Sequence, residues 1–92
     1  MPMTYKDPSH PDYRALRADA RHLTDAMIHQ RAQDALRWAV SAENLENQGG
    51  NPSRSSQSYR DESCFWQGYL AKRLDGMTAD EIDQAAEASD RA

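Results

Sequence analysis

Two imidazoles and a carboxylate, His22, Asp25 and His29, stand at i, i+3 and i+7. On one ideal helix they fall within about 60° of one another. All three are ligand types that zinc accepts. The two histidines are nearly two turns apart, however, beyond the reach of an i, i+4 chelate. The expectation is a polar helix face with a His–Asp contact, and no metal or cofactor. The single cysteine, Cys64, has the chemistry of a nucleophile where a capped helix favours its thiolate. No histidine stands near it in sequence, and Asp61 and Glu62 favour the protonated thiol. Beside Phe65 and Trp66 it reads as a small apolar residue. No catalytic group is expected, and the chain reads as non-enzymatic.

The remaining reactive side chains are of the recognition kind. Arg14, Arg17 and Arg21 share one helical face, away from the leucines, and suit phosphate or acidic side chains. Asp25 lies four residues beyond Arg21, so the face is also able to pair with itself. Arg54 and Arg60 add basic groups in and beside a loop. Between residues 75 and 90 there are six acids and no base, among them Asp80, Glu81 and Asp83. Such a run is a solvated face or a surface for a basic partner. Tyr59, Phe65, Trp66 and Tyr69 cluster around Gly68, and Trp, Tyr and Arg are the types enriched at interface hot spots. Trp66 is expected to pack in the core against Trp38. Tyr69, the more amphipathic ring, is expected to face a partner. The expected partner-binding set is therefore Tyr59, Trp66 and Tyr69, the five arginines named above, and Asp80, Glu81 and Asp83.

Elements must hold these groups, and composition limits how. In 92 residues, Leu, Ile and Val together number nine, while Ala numbers fourteen. Burial is worth roughly 25 cal/mol per Å², and alanine offers little area. A composition this poor in large apolar residues argues for a partner surface or a second copy. The length allows one small domain. A net charge of −4 and a pI near 5.2 disfavour general nucleic-acid binding without excluding it. No apolar stretch approaches the roughly 18 residues that span a bilayer, so no membrane association is expected. No secretory signal is visible, and one cysteine fits a reducing compartment, which together read as cytoplasmic. Arg outnumbers Lys nine to two, which with the alanine content suggests a GC-rich genome, bacterial or viral.

Residues 1–11 hold three of the four prolines and read as an extended arm. Residues 12–92 read as a single helical domain with a flexible loop at 48–58. Ser9 and Asp12 have the spacing of a capping box. From 12 to 48 there is neither Gly nor Pro, which favours one long or gently kinked helix over the alternative of two helices meeting near Thr24 to Gln30. Its apolar stripe Leu16, Ala20, Leu23, Met27 slips by one residue and restarts as Ile28, Ala32, Ala35, Ala39, Ala42. With Leu36, Trp38, Val40 and Leu45 added, the second part is expected to be the most buried. Ser58 with Asp61 predicts the start of a helix ending near Gly76. Thr78 and Glu81 form a capping box for a last short helix, with Met77 and Ile82 at staple positions. The fold expected is all-α, a small bundle of three to four helices, with a long N-terminal helix folded against a C-terminal pair.

Asn51-Pro52 followed by Phe65, two residues, and Gly68-Tyr69 loosely resembles small bacterial proteins of the ribosome modulation factor type. Those carry a Pro-containing turn and then an aromatic-x-x-Gly-aromatic helix. The resemblance covers residues 51–69 and implies contact with rRNA, but this chain is acidic where those proteins are basic. The reading that fits all of these features is a small protein-binding regulator or inhibitor that occupies a partner's surface. A phage or mobile-element protein directed at a host defence complex is a setting consistent with its size. The alternative is a ribosome- or RNA-associated factor using the arginine face.

Overall fold

Among the described residues the chain forms four helices: α1 (Arg14–Ala20), α2 (Asp25–Asn47), α3 (Ser56–Leu74) and α4 (Ala79–Arg91). The structure, a computed structural model, describes residues 13–91, with side chains throughout except at 87 and 89–91. It is a small all-α bundle in which α2 and α3 make the dominant packing contact. The arm expected over 1–11 and the cap at Ser9 and Asp12 lie outside the described residues.

The long helix expected from 12 to 48 is two helices. The chain leaves α1 through a tight turn at 21–24, with His22 N donating to Asp19 O and Leu23 N to Ala20 O. Thr24 then adopts an extended conformation, and its hydroxyl accepts from Met27 N at 3.2 Å. That is an N-cap, which satisfies one of the four orphan donors at a helix start. From α3, the Arg73 guanidinium donates to Leu23 O at 2.7 Å and Ala20 O at 3.4 Å, and it pairs with Asp25. A tertiary contact therefore supplies partners for carbonyls that the break releases. The one-residue slip between the two apolar stripes marks this change of helix.

Both ends of the α2–α3 hairpin are fixed by backbone chemistry. After α2, Gly49 turns to φ +83°, Gly49 N donates to Glu46 O and Gly50 N to Leu45 O. A Cβ at Gly50 would collide with the Leu45 side chain. The same pair of bonds closes α3 through Gly76 N to Arg73 O and Met77 N to Lys72 O, with Gly76 at φ +98°. These are left-handed glycine stops. The loop is shorter than expected, because Ser55 rather than Ser58 caps α3, accepting from Ser58 N at 3.1 Å. Glu46 reaches across from α2 to the Ser56 backbone N–H at 2.9 Å and hydroxyl at 2.7 Å. Those two bonds, the backbone one first, hold the Glu46 carboxyl below the usual carboxylate range. Thr78 and Glu81 form the expected reciprocal box at the start of α4.

The core gathers Ala20, Ile28, Ala32, Phe65, Trp66, Tyr69 and Ile82, with Tyr13, Leu16, Leu23, Leu70 and Met77 packed against it. Phe65 is the ring at its centre, 4.9 Å from both Tyr13 and Trp66 and 5.8 Å from Tyr69. On α2 the whole alanine stripe, Ala32, Ala35, Ala39 and Ala42, is buried together with Ile28. The larger apolar residues of that helix are not: Trp38 is 58% exposed, Val40 52% and Leu45 41%. The reason is packing distance. Alanines at the contact let α3 approach closely, and the bulky residues are left on flanking faces. Trp38 thus does not meet Trp66, contrary to expectation.

Two measurements check this partition. Trp66→Ala should cost about 3–5 kcal/mol, whereas Trp38→Ala should stay within about 0.5 kcal/mol of wild type in urea unfolding. Equal losses would place Trp38 in the core. The depressed Glu46 pKa gives a pH test. Its stabilisation is present above the unfolded carboxylate range and is lost as pH falls through the lower folded value. The difference in thermal midpoint between wild type and Glu46→Gln should be present at neutral pH and shrink as the solution is acidified below the ordinary carboxylate range.

Candidate functional site

The charged residues expected to meet a partner meet each other. Asp83 on α4 accepts from Arg17 Nε at 3.1 Å and from Arg21 Nη1 at 2.8 Å, and Asp80 accepts from Arg21 Nη2 at 2.7 Å. Arg17 is buried, so its guanidinium is matched inside the fold rather than offered to phosphate. The bonds from Asp80, then Asp83, raise the Arg21 pKa further above an already high value. Arg14 remains exposed beside a cleft of about 160 Å³ that it lines with Arg17, Ala18, Arg21 and Asp83. Glu81 is occupied with the Thr78 N–H. Arg17 and Arg21 of the arginine face and Asp80 and Asp83 of the acidic run therefore form one contact between the end of α1 and α4, and Arg21 pairs with α4 rather than with Asp25.

The remaining expected sites are also redistributed. The helix break falls between His22 and Asp25, so the i, i+3, i+7 register does not apply. His22 and His29 are exposed, Asp25 pairs with Arg73 at 3.3 Å, and no metal-ligating cluster exists among the described residues. Cys64 is half-buried, and desolvation first, then the charge of Asp61, pushes its thiol pKa up. Tyr69, expected at an interface, is fully buried. Its Oη has no hydrogen-bond partner among the described residues, and burial, then Asp83, raises its pKa. Trp66 is fully buried and donates through Nε1 to Glu62 at 3.0 Å. Arg60 pairs with Glu43 at 3.0 Å.

Two expected residues, Tyr59 and Arg54, do come together at the surface. The Arg54 guanidinium lies 4.3 Å from the Tyr59 ring centroid and is anchored by Glu62 at 2.8 Å and by Ser58. Stacking over an aromatic face with a fixed carboxylate partner restrains both side chains. Tyr59 forms one wall of an open groove of about 210 Å³ completed by Trp38, Ser41, Ala42 and Leu45 of α2 and by Pro52 and Ser53 of the loop. Each element contributes for a physical reason. The α2 residues share one face at i, i+3, i+4 and i+7, Gly50 lets the loop lie against Leu45, and the Ser55 cap sets where Tyr59 enters. The result is an open concavity lined mainly by aromatic and aliphatic side chains. Trp38, Leu45 and Pro52, which line this groove with Tyr59, lie outside the set expected from the sequence. The signal was present in the spacing of Trp38 and Leu45, seven apart on a face distinct from the alanines.

No protein-family model, curated protein or solved structure matches the chain.

Replacing Asp83 tests the internal assignment of the charges. Asp83→Ala should cost about 1–3 kcal/mol of fold stability, less than a fully buried pair because the carboxylate is one-third exposed. Asp80→Ala, at a more exposed pair, should cost under about 1 kcal/mol. Denaturant midpoints measure both, and an unchanged Asp83→Ala midpoint would return the acidic run to the pool of partner-facing groups.

Proposed function

We propose that this protein is a small non-enzymatic protein-binding regulator that acts by occupying a partner's surface. The observation that carries the reading is Trp38. An indole held half out of a small domain, beside Leu45, Pro52 and an arginine-stacked Tyr59, is the residue chemistry of an interface anchor. A domain so short of large apolar side chains has little reason to leave this one in water unless a second surface covers it. The groove sits where α2, the loop and α3 converge, so its walls come from rigid elements and a restrained loop. The RNA-binding alternative draws less support. It rests on the arginine face Arg14, Arg17 and Arg21 and on the loop arginines Arg54 and Arg60. Arg17 and Arg21 are engaged with Asp80 and Asp83, Arg54 with Glu62 and Arg60 with Glu43, which leaves Arg14 as the exposed member of the face outside these pairs.

The reading predicts a separation between fold and binding. Trp38→Ala and Tyr59→Ala should keep their far-ultraviolet circular dichroism. Each should weaken binding to a partner isolated from the native host by about 2 kcal/mol or more, roughly thirtyfold in Kd. Titration calorimetry on the purified pair measures it. A partner that binds both variants as tightly as wild type would remove the groove from the function.

A further inference from the structure

We infer that the buried Tyr69 hydroxyl keeps the cover formed by α1 and α4 releasable, a conformational device set over the rings of α3. Tyr69 is fully buried, and its Oη is the one buried side-chain oxygen or nitrogen with no hydrogen-bond partner among the described residues. The ring belongs to the core and stands 5.8 Å from Phe65. Phenylalanine would present the same apolar faces, so packing alone gives no reason for the oxygen. An unmatched polar group in an otherwise satisfied interior is the kind of local conflict that folds retain for function.

The polar groups that act on this oxygen are engaged elsewhere. Asp83 of α4, Arg73 of α3, and Arg21 and Arg17 at the end of α1 all reach it through their charge. Asp83, however, accepts from Arg17 and Arg21, and Arg21 also donates to Asp80. Arg73 is turned towards Leu23 O, Ala20 O and Asp25. The contact that fastens α4 to α1 thus satisfies its own members and leaves the hydroxyl out. A phenol donates and accepts in water, so the closed arrangement carries a desolvation penalty that disappears once water reaches Oη. Against this stands a modest apolar hold. Its buried apolar side chains are Ala20 from α1 and Ile82 and Ala86 from α4. Release brings Tyr69, with the Phe65 ring beside it, towards solvent. The cover shares no residue with the Trp38 groove, so the device is independent of the function proposed above.

Native-state hydrogen exchange on the full chain tests the device, with wild type and Tyr69→Phe first matched by circular dichroism. In wild type the amides of α1 and α4 should exchange as one group, faster than the α2 amides between Ala32 and Ala42. Tyr69→Phe should slow the α1 and α4 group at least about fivefold, because the closed state no longer buries an unmatched oxygen. The α2 amides should slow by the same factor, since the penalty is absent from every state in which the cover has left. Slowing confined to α2 would show that the oxygen stays dry when α1 and α4 release. No slowing anywhere would show that it is already matched. Either result would overturn the inference, as would α1 and α4 amides that exchange no faster than those of α2.

Discussion

Close approach of α2 and α3 is the constraint on which the other contacts depend. Ala32, Ala35, Ala39 and Ala42 present almost no side chain to the neighbouring helix, so the two backbones draw together and the apolar volume must come from one side. It comes from α3, as Phe65, Trp66 and Tyr69, and these rings are then too large for a two-helix interface to enclose. Helices α1 and α4 supply the missing cover through Ala20, Leu16, Ile82 and Ala86. A core assembled from small residues on one helix and rings on another is narrow. Every large residue outside it, Trp38 and Leu45 above all, is left at the surface.

Polar side chains do the joining that apolar area does not. Arg73 holds the carbonyls at the α1–α2 break, Ser63 donates from α3 to Ala32 O at 2.9 Å, and Glu46 ties the end of α2 to the start of α3. Arg17 and Arg21 hold α4 to α1. Where the group is buried, as at Arg17 and Ser63, leaving it unmatched would cost more than the bond itself contributes. Specific polar fits fix the arrangement of helices that hydrophobic packing alone would leave loosely determined.

The parts legible in the sequence are those governed by local rules. The alanine stripe at +4, +3, +4, +3, the glycine stops at Gly49 and Gly76, and the Thr78–Glu81 box all follow from short-range spacing, and the structure contains them. The helix break at 21–24 left only a one-residue slip of phase, because its capping carbonyls are held by Arg73, some fifty positions away. The pairing of the arginine face with the acidic run was hidden for the same reason. Asp83 stands more than sixty residues from Arg17 and Arg21, and in sequence each set looked like a free patch. Trp38 is exposed and Tyr69 buried, the reverse of expectation, because ring chemistry does not reveal which face of a helix a neighbour covers.

The distribution of forces has a consequence for the order in which the molecule comes apart. The α2–α3 hairpin is closed by a short loop and bound mainly by its packed alanines and rings, with the Glu43–Arg60 and Asp25–Arg73 pairs at its margins. The two outer helices close the chain over a long sequence interval, and much of what holds them to each other is charge within reach of solvent. Ions screen such pairs within about 8–10 Å. The first cooperative opening should therefore be the joint departure of the outer helices, leaving the hairpin with its rings uncovered. In such a chain ionic strength acts as a selector among partially open states, lowering the free energy of this opening more than that of the hairpin, whose packed alanines and rings carry most of its contact.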